Sequence, residues 1–162
     1  MSEFFLDVAD LHVFDAASGK PIVAGVSLRV ASGGVLTLLG ESGSGKSLLA
    51  QAIMGTLAHG LRAEGAINID GQLSDAADQA ARQRLWGRAV ALLPQEPWLA
   101  LDPTMRVQQQ VAETHELVAG KSAGQSREAA LRDLRQLGMM NAAHLYPHQI
   151  SGGMAQRVAF LA

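Results

Sequence analysis

No cysteine occurs among the 162 residues. Disulfides, thiolate metal sites and cysteine nucleophiles are therefore excluded, and the usage agrees with a cytosolic setting. Charge is scarce as well. Asp, Glu, Lys and Arg together make up 17% of the chain, against about 25% in an ordinary soluble domain. A surface charged so sparsely is expected to cover part of itself with a partner. Neither sign dominates, because 13 basic residues face 15 acidic ones. Such a balance gives no electrostatic grip on nucleic acid or on an anionic membrane. No apolar run approaches the ~18 residues of a membrane helix. The N-terminal segment carries Glu3, Asp7 and Asp10 and lacks the basic start and apolar centre of a secretory signal. Any link to a membrane is expected to run through another protein.

What is present is enough for one domain, typically about 100–200 residues long, and a hydrophobic share of 48% argues against disorder. Residues 4–14 are mostly apolar or β-prone and predict one or two strands. Residues 15–21 carry turn chemistry, and 26–30 alternate with period two, as a half-buried strand does. Residues 35–39 and 89–93 are nearly continuous apolar runs, which predict strands covered on both faces. Leu49, Ala52, Ile53 and Leu57 share one helical face, predicting a helix from 46 to about 58. A short strand is expected at 66–70, with Asp70-Gly71 as hairpin-turn chemistry. A surface helix is expected at 75–86. Helices follow at 105–118 and 127–137, with a turn at 120–126 between them. A last helix begins at Ser151.

Chemistry concentrates first at Gly40-Glu41-Ser42-Gly43-Ser44-Gly45-Lys46-Ser47, which fits G-x-x-x-x-G-K-[ST]. Phosphate oxygens must approach the backbone closely, which glycine permits and a Cβ blocks. Successive N–H groups line an anion nest, and the helix that follows points its N-terminal dipole at the same place. The backbone at Ser42, Gly43, Ser44 and Leu48 belongs to this nest. Lys46 is expected to reach the β- and γ-phosphates, and Ser47 to place its hydroxyl on Mg²⁺. Lys46 is one of three lysines in the chain. The motif by itself specifies a nucleoside triphosphate, not a reaction.

Two further segments carry less weight alone. Gln95, at the end of the predicted strand 89–93 and before a proline-rich loop, can aim its amide oxygen at a metal or a water. Ser151-Gly152-Gly153 places an N-cap serine before bare backbone at a helix start, a second anion-binding terminus. In this order the three segments resemble the ATP-binding subunits of ABC transporters. Residues 40–47 are similar to their Walker A loop, Gln95 to their Q-loop glutamine, and Ser151-Gly152-Gly153 to the core of their signature sequence. Pro103-Thr-Met-Arg-Val107 and Tyr146-Pro-His148 resemble the peptide/nickel importer branch.

The resemblance implies a P-loop α/β fold of the ABC ATPase type. Part of a parallel sheet would surround the phosphate loop, with an antiparallel β layer and a helical subdomain, over residues 1–102 and 103–162. It implies ATP and Mg²⁺ as ligands and a second ATP-binding subunit, facing the first head to tail. Transmembrane permease subunits are implied too, with attachment at the cytoplasmic face of the membrane and no nucleic-acid partner. Ser151 and Gly153 would then serve the nucleotide held by the second subunit, and Gln95 would act catalytically and at the metal. Phe14 is the candidate adenine-stacking ring, with His12 next in line. Trp98, Leu99 and Leu101 are expected to be exposed and to dock on the permease. In that family the Walker B carboxylates, D-loop and switch histidine follow the signature helix, and this sequence stops before them. No acidic residue follows Asp133, so the chain is expected to bind ATP without hydrolysing it. The alternatives are a nucleotide-binding module without turnover and a non-transport ATPase of the same superfamily.

Overall fold

The bulge in the first strand sets the phase of the sheet. In the computed structural model, which describes residues 3–162, Phe4–Asp15 forms strand β1. Val8, Leu11 and Val13 are all buried in the core. Residues 8 and 11 of a regular strand would point to opposite faces. A register shift between Ala9 and His12, with Asp10 at φ 50°, inserts the residue that restores them to one face. Strand β2 is Pro21–Ala31, β3 is Leu61–Ile69 and β4 is Gln72–Asp75. They join in the order β2-β1-β3-β4, every pair antiparallel. The β3–β4 turn is Asp70-Gly71, with φ 50° and 81°. Positive φ at both central residues is the hairpin turn that matches strand twist.

Helix α1, Lys46–Met54, buries Leu49 and Ala52 with Val8, Leu11, Val13, Val23 and Ile67 of the sheet. It ends sooner than the apolar spacing predicts. Gly55 takes the left-handed conformation, and its N–H reaches Ala52 O at 3.3 Å, closing the helix.

Two expectations are corrected here. The sheet around the phosphate loop is not parallel. Residues 35–39 and 89–93 form no strand, and parallel pairing is limited to an isolated bridge between Trp86 and Val90. Val35 is 93% exposed and Leu39 89% exposed. Apolar patterning alone makes no ladder; a strand needs a hydrogen-bonded neighbour, and among the described residues neither segment has one. The helix expected at 75–86 is also reduced. Asp75 ends β4, Asp78 caps by accepting Ala81 N–H at 3.0 Å, and helix α2 covers Gln79–Gln83 alone.

Arg82 on α2 is 1% exposed. Its guanidinium donates to the backbone oxygens of Asp75 (2.7 Å), Ala76 (2.7 Å) and Asp78 (3.0 Å). Burial pushes it below the usual arginine range, partly offset by Asp78 and Asp75. It staples the β4–α2 corner.

The unit just described runs Met1–Val90, and a second runs Ala91–Ala162. The division falls before Gln95. In the second unit, helix α3 is Val107–Leu117, α4 is Ala123–Gln136 and α5 is Gly152–Leu161. Val107, Val111, Ala130, Leu134, Ala155 and Val158 form their common core. Helix α4 starts inside the predicted turn, because Ser122 N–H donates to Gln125 Oε1 at 3.1 Å and caps it at Ala123. No described helix is long and apolar enough to cross a membrane.

Arg82→Met should lower the unfolding free energy by about 3 kcal/mol, because three carbonyls lose a charged donor that water cannot replace. Urea unfolding of the two proteins measures it; a change below about 0.5 kcal/mol would mean the staple is dispensable.

Candidate phosphate-binding site

The Lys46 side chain folds back over the loop that precedes it. Its Nζ donates to Gly40 O (2.8 Å), Glu41 O (2.6 Å) and Ser44 Oγ (3.2 Å). The loop is tightened further by Ser44 N–H to Glu41 O at 3.2 Å. Gly45 caps α1 from the left-handed region, φ 89°. A Cβ there would stand 2.9 Å from Val23 Cγ2, so the loop packs its last glycine directly onto β2. Gly43, φ 83°, has nothing within 4 Å of its Cβ position and faces open space.

The start of α1 and one ammonium lie at this loop, and no acidic residue occupies the first turn of α1, a combination suited to an anion. Lys46 spends its three donors on loop oxygens, which a polyphosphate can replace one for one. Ser42 and Ser47 are exposed, and Leu48 is half-buried with its backbone at the helix start. Among the described residues no group of three His, Cys, Asp or Glu side chains could hold a metal.

Residues 40–48 run as one loop into the start of α1. Phe14 lies near the end of β1. Its neighbour Val13 is buried in the core with Val23, while His12 stacks on Phe14 at 5.7 Å and 9°, and Arg62 sits 4.3 Å over its ring. Phe14 pairs with Arg62 and Val13 with Ala63, so the ring stands on the sheet face away from Val23 and the loop. His12 shares that outer face, tied to Asp10 Oδ1 at 3.0 Å and accepting Gly25 N–H at 3.2 Å.

The other predicted residues lie in the second unit. Gln95 is exposed on an irregular segment, not at a strand end, just before a 3₁₀ turn at Pro97–Leu99. Ser151 caps α5 as expected, its Oγ accepting Met154 N–H at 3.4 Å. Gly152 and Gly153 have nothing within 4 Å of their Cβ positions, leaving the helix start bare. Trp98 is 44% and Leu99 79% exposed, but Leu101 is 5% exposed. Leu101 is thus a correction: it joins the core of α3 and α5 because the chain turns inward after residue 100. Trp98, Leu101, Pro103, Pro147, His148 and Ile150 line a pocket of about 400 Å³. Tyr146 stacks on His148 at 5.8 Å, and Arg106 lies 5.5 Å over the Tyr146 ring.

Sequence reasoning missed Gln110. It lies in a run of three glutamines that looks like a solvated face, yet it is 6% exposed. The usable signal was its helical phase with Val107 and Val111, both buried.

A glycine nest closed by a lysine at a helix N-terminus defines a phosphate-binding-loop domain. The sequence profile described as "ABC transporter" matches residues 23–162. The chain belongs to the ABC transporter family. It is 38% identical over 160 residues to the oligopeptide transport ATP-binding protein OppD of Mycobacterium bovis, covering 94% of this chain and 26% of that protein. It is 34% identical over 157 residues to the dipeptide transport ATP-binding protein DppD of Escherichia coli, covering 94% and 48%. The chain thus spans half or less of the length of these relatives. Among solved structures, cbiO1 of Clostridium perfringens, part of an ABC transporter complex, superposes with TM-score 0.78 at 23% identity, covering 99% of this chain and 61% of that one. The ATP-binding cassette MJ0796, a dimer bound to ADP and phosphate, gives 0.79 at 22%, covering 96% and 67%. At those identities the likeness is one of fold.

Gly45→Ala should cost about 2–3 kcal/mol of stability, since a left-handed backbone and a clash with Val23 add. Gly43→Ala, strained but unobstructed, should cost about 1 kcal/mol. Equal losses in denaturant titrations would show that Gly45 does not pack on β2.

Proposed function

We propose that this sequence is the nucleotide-binding part of an ATP-binding subunit that couples ATP binding and hydrolysis to import of a small solute through a membrane permease. The observation that carries the proposal is the Lys46 ammonium seated in its own glycine loop, with donors that polyphosphate can claim. The solute is of the peptide or nickel type, and the names of the similar proteins favour peptide. In this reading Lys46 exchanges loop oxygens for phosphate oxygens, and the N–H groups of residues 42–48 hold the rest of the polyphosphate. Magnesium, when bound beside Ser47, neutralises phosphate charge. Gln95 stands on a loop able to move toward the metal or the attacking water.

The bare start of α5 at Ser151-Gly152-Gly153 is offered to the nucleotide of a second, head-to-tail subunit. Trp98 and Leu99 on the exposed turn after Gln95 form the permease contact, at the cytoplasmic face of the membrane. Hydrolysis also needs a carboxylate to orient water. No acidic residue follows Asp133.

Lys46→Ala should weaken ATP binding by about tenfold or more, the scale of a lost charge-assisted hydrogen bond. Lys121→Ala, whose amine donates to His115 Nδ1 at 3.0 Å, should leave it unchanged. Calorimetric titration decides; equal affinities would remove the phosphate-loop reading. Leu99→Glu should cut transport by about tenfold in the assembled protein while ATP affinity holds, as for an interface anchor. Undiminished transport would remove the docking reading.

A further inference from the structure

Gln110 on α3 has three of the four hydrogen-bonding positions of its side-chain amide filled by one short loop. Its Oε1 accepts Asp102 N–H at 3.0 Å, and its Nε2 donates to Asp102 O at 3.0 Å and Met105 O at 3.0 Å. Only one orientation of the amide satisfies this set, because a carbonyl cannot donate and an N–H cannot accept. At 6% exposure, water does not compete for the bonds. Inside the clamped stretch, Asp102 Oδ1 also accepts Thr104 N–H (2.7 Å) and Thr104 Oγ (2.6 Å). Those bonds, side chain first, hold the Asp102 carboxyl below its ordinary range.

The position of this loop matters because of its neighbours. Leu101 and Pro103, on either side of Asp102, form one wall of the apolar pocket; Pro147, His148 and Ile150, just before the Ser151 cap, form another. Backbone bonds tie the same start of α3 to the pre-signature segment: Val107 N–H to Leu145 O at 2.9 Å and Gln108 N–H to Ala143 O at 3.0 Å. A push on Trp98 or Leu99 thus reaches a loop that is fixed at both its ends to α3.

We infer that Gln110 is a positioning residue for coupling: it holds residues 102–105 so that force on the docking turn is passed to α3 and the segment before Ser151. This rests on the proposed transport function. Hydrogen-bonding to the backbone, rather than packing, is the means, so an apolar residue of equal length cannot substitute.

The test uses the complete protein copurified with its membrane partner, as wild type, Gln110→Met and Gln108→Met. In Gln110→Met, amide hydrogen exchange at residues 102–106 should rise about tenfold or more, the scale of losing buried hydrogen bonds. The kcat of transport-coupled ATP hydrolysis should fall about tenfold while KM for ATP stays within about twofold. Gln108→Met should match wild type in all three readouts. If Gln110→Met does not fold, Gln110→Glu, which keeps the acceptor for Asp102 N–H and loses both donors, carries the test. Unchanged exchange, or faster exchange with unchanged kcat, overturns the inference while wild-type ATP binding and transport leave the proposed function standing. A wild type that neither binds ATP nor transports overturns both.

Discussion

The bonds from the Lys46 ammonium to Gly40 O, Glu41 O and Ser44 Oγ hold the glycine loop in the shape that the site requires. Six residues, all glycine or serine but Glu41, with no side-chain core would otherwise sample many conformations, and ordering them costs about 1–2 kcal/mol per residue. A cation in the middle offsets part of that cost with charge-assisted bonds to three loop oxygens. The far end of the loop is fixed by contact, Gly45 lying against Val23 of β2, and Val23 belongs to the same core as α1. The loop is therefore held at both ends, and in the proposed function entry of a polyphosphate is an exchange of oxygens around one lysine.

That core depends in turn on the β1 bulge. Without Asp10 at φ 50°, either Val8 or the pair Leu11 and Val13 would leave the inner face, and α1 would lose part of its seat. The bulge was not legible in the sequence, where residues 4–14 read only as β-prone, because a one-residue phase shift is set by cross-strand packing. The Asp70-Gly71 turn was legible, since its conformation follows from the chemistry of those two residues. The helix at Lys46 was legible in its start and not in its end: Leu57 continues the apolar spacing, but Gly55 stops the helix. At residues 35–39 the apolar run predicted a strand, and the structure has an exposed extended segment. Pattern records a tendency to be covered; the ladder itself depends on a neighbour that the pattern does not contain.

The site shows the same division. Residues 40–47 carry their function in local spacing, so the motif gave loop, lysine and helix together. Ser151 was equally local, because a cap is a matter of three residues. The side of the sheet that Phe14 takes was not, since it is decided by registry with Arg62 and Ala63 on β3. Gln110 was missed for the opposite reason. Its residue type pointed outward while its helical phase, shared with Val107 and Val111, pointed inward, and the buried partners are backbone atoms that no side-chain motif records.

The central claim is that residues 40–48 are a preformed polyphosphate nest. Its most direct test is a titration of the isotopically labelled protein with MgATP, followed by the backbone amide resonances. The account predicts that the amides of Gly43, Gly45, Lys46 and Ser47 shift first and furthest, while those of α4 stay in place. Saturable ATP binding that leaves these four amides unmoved would contradict it.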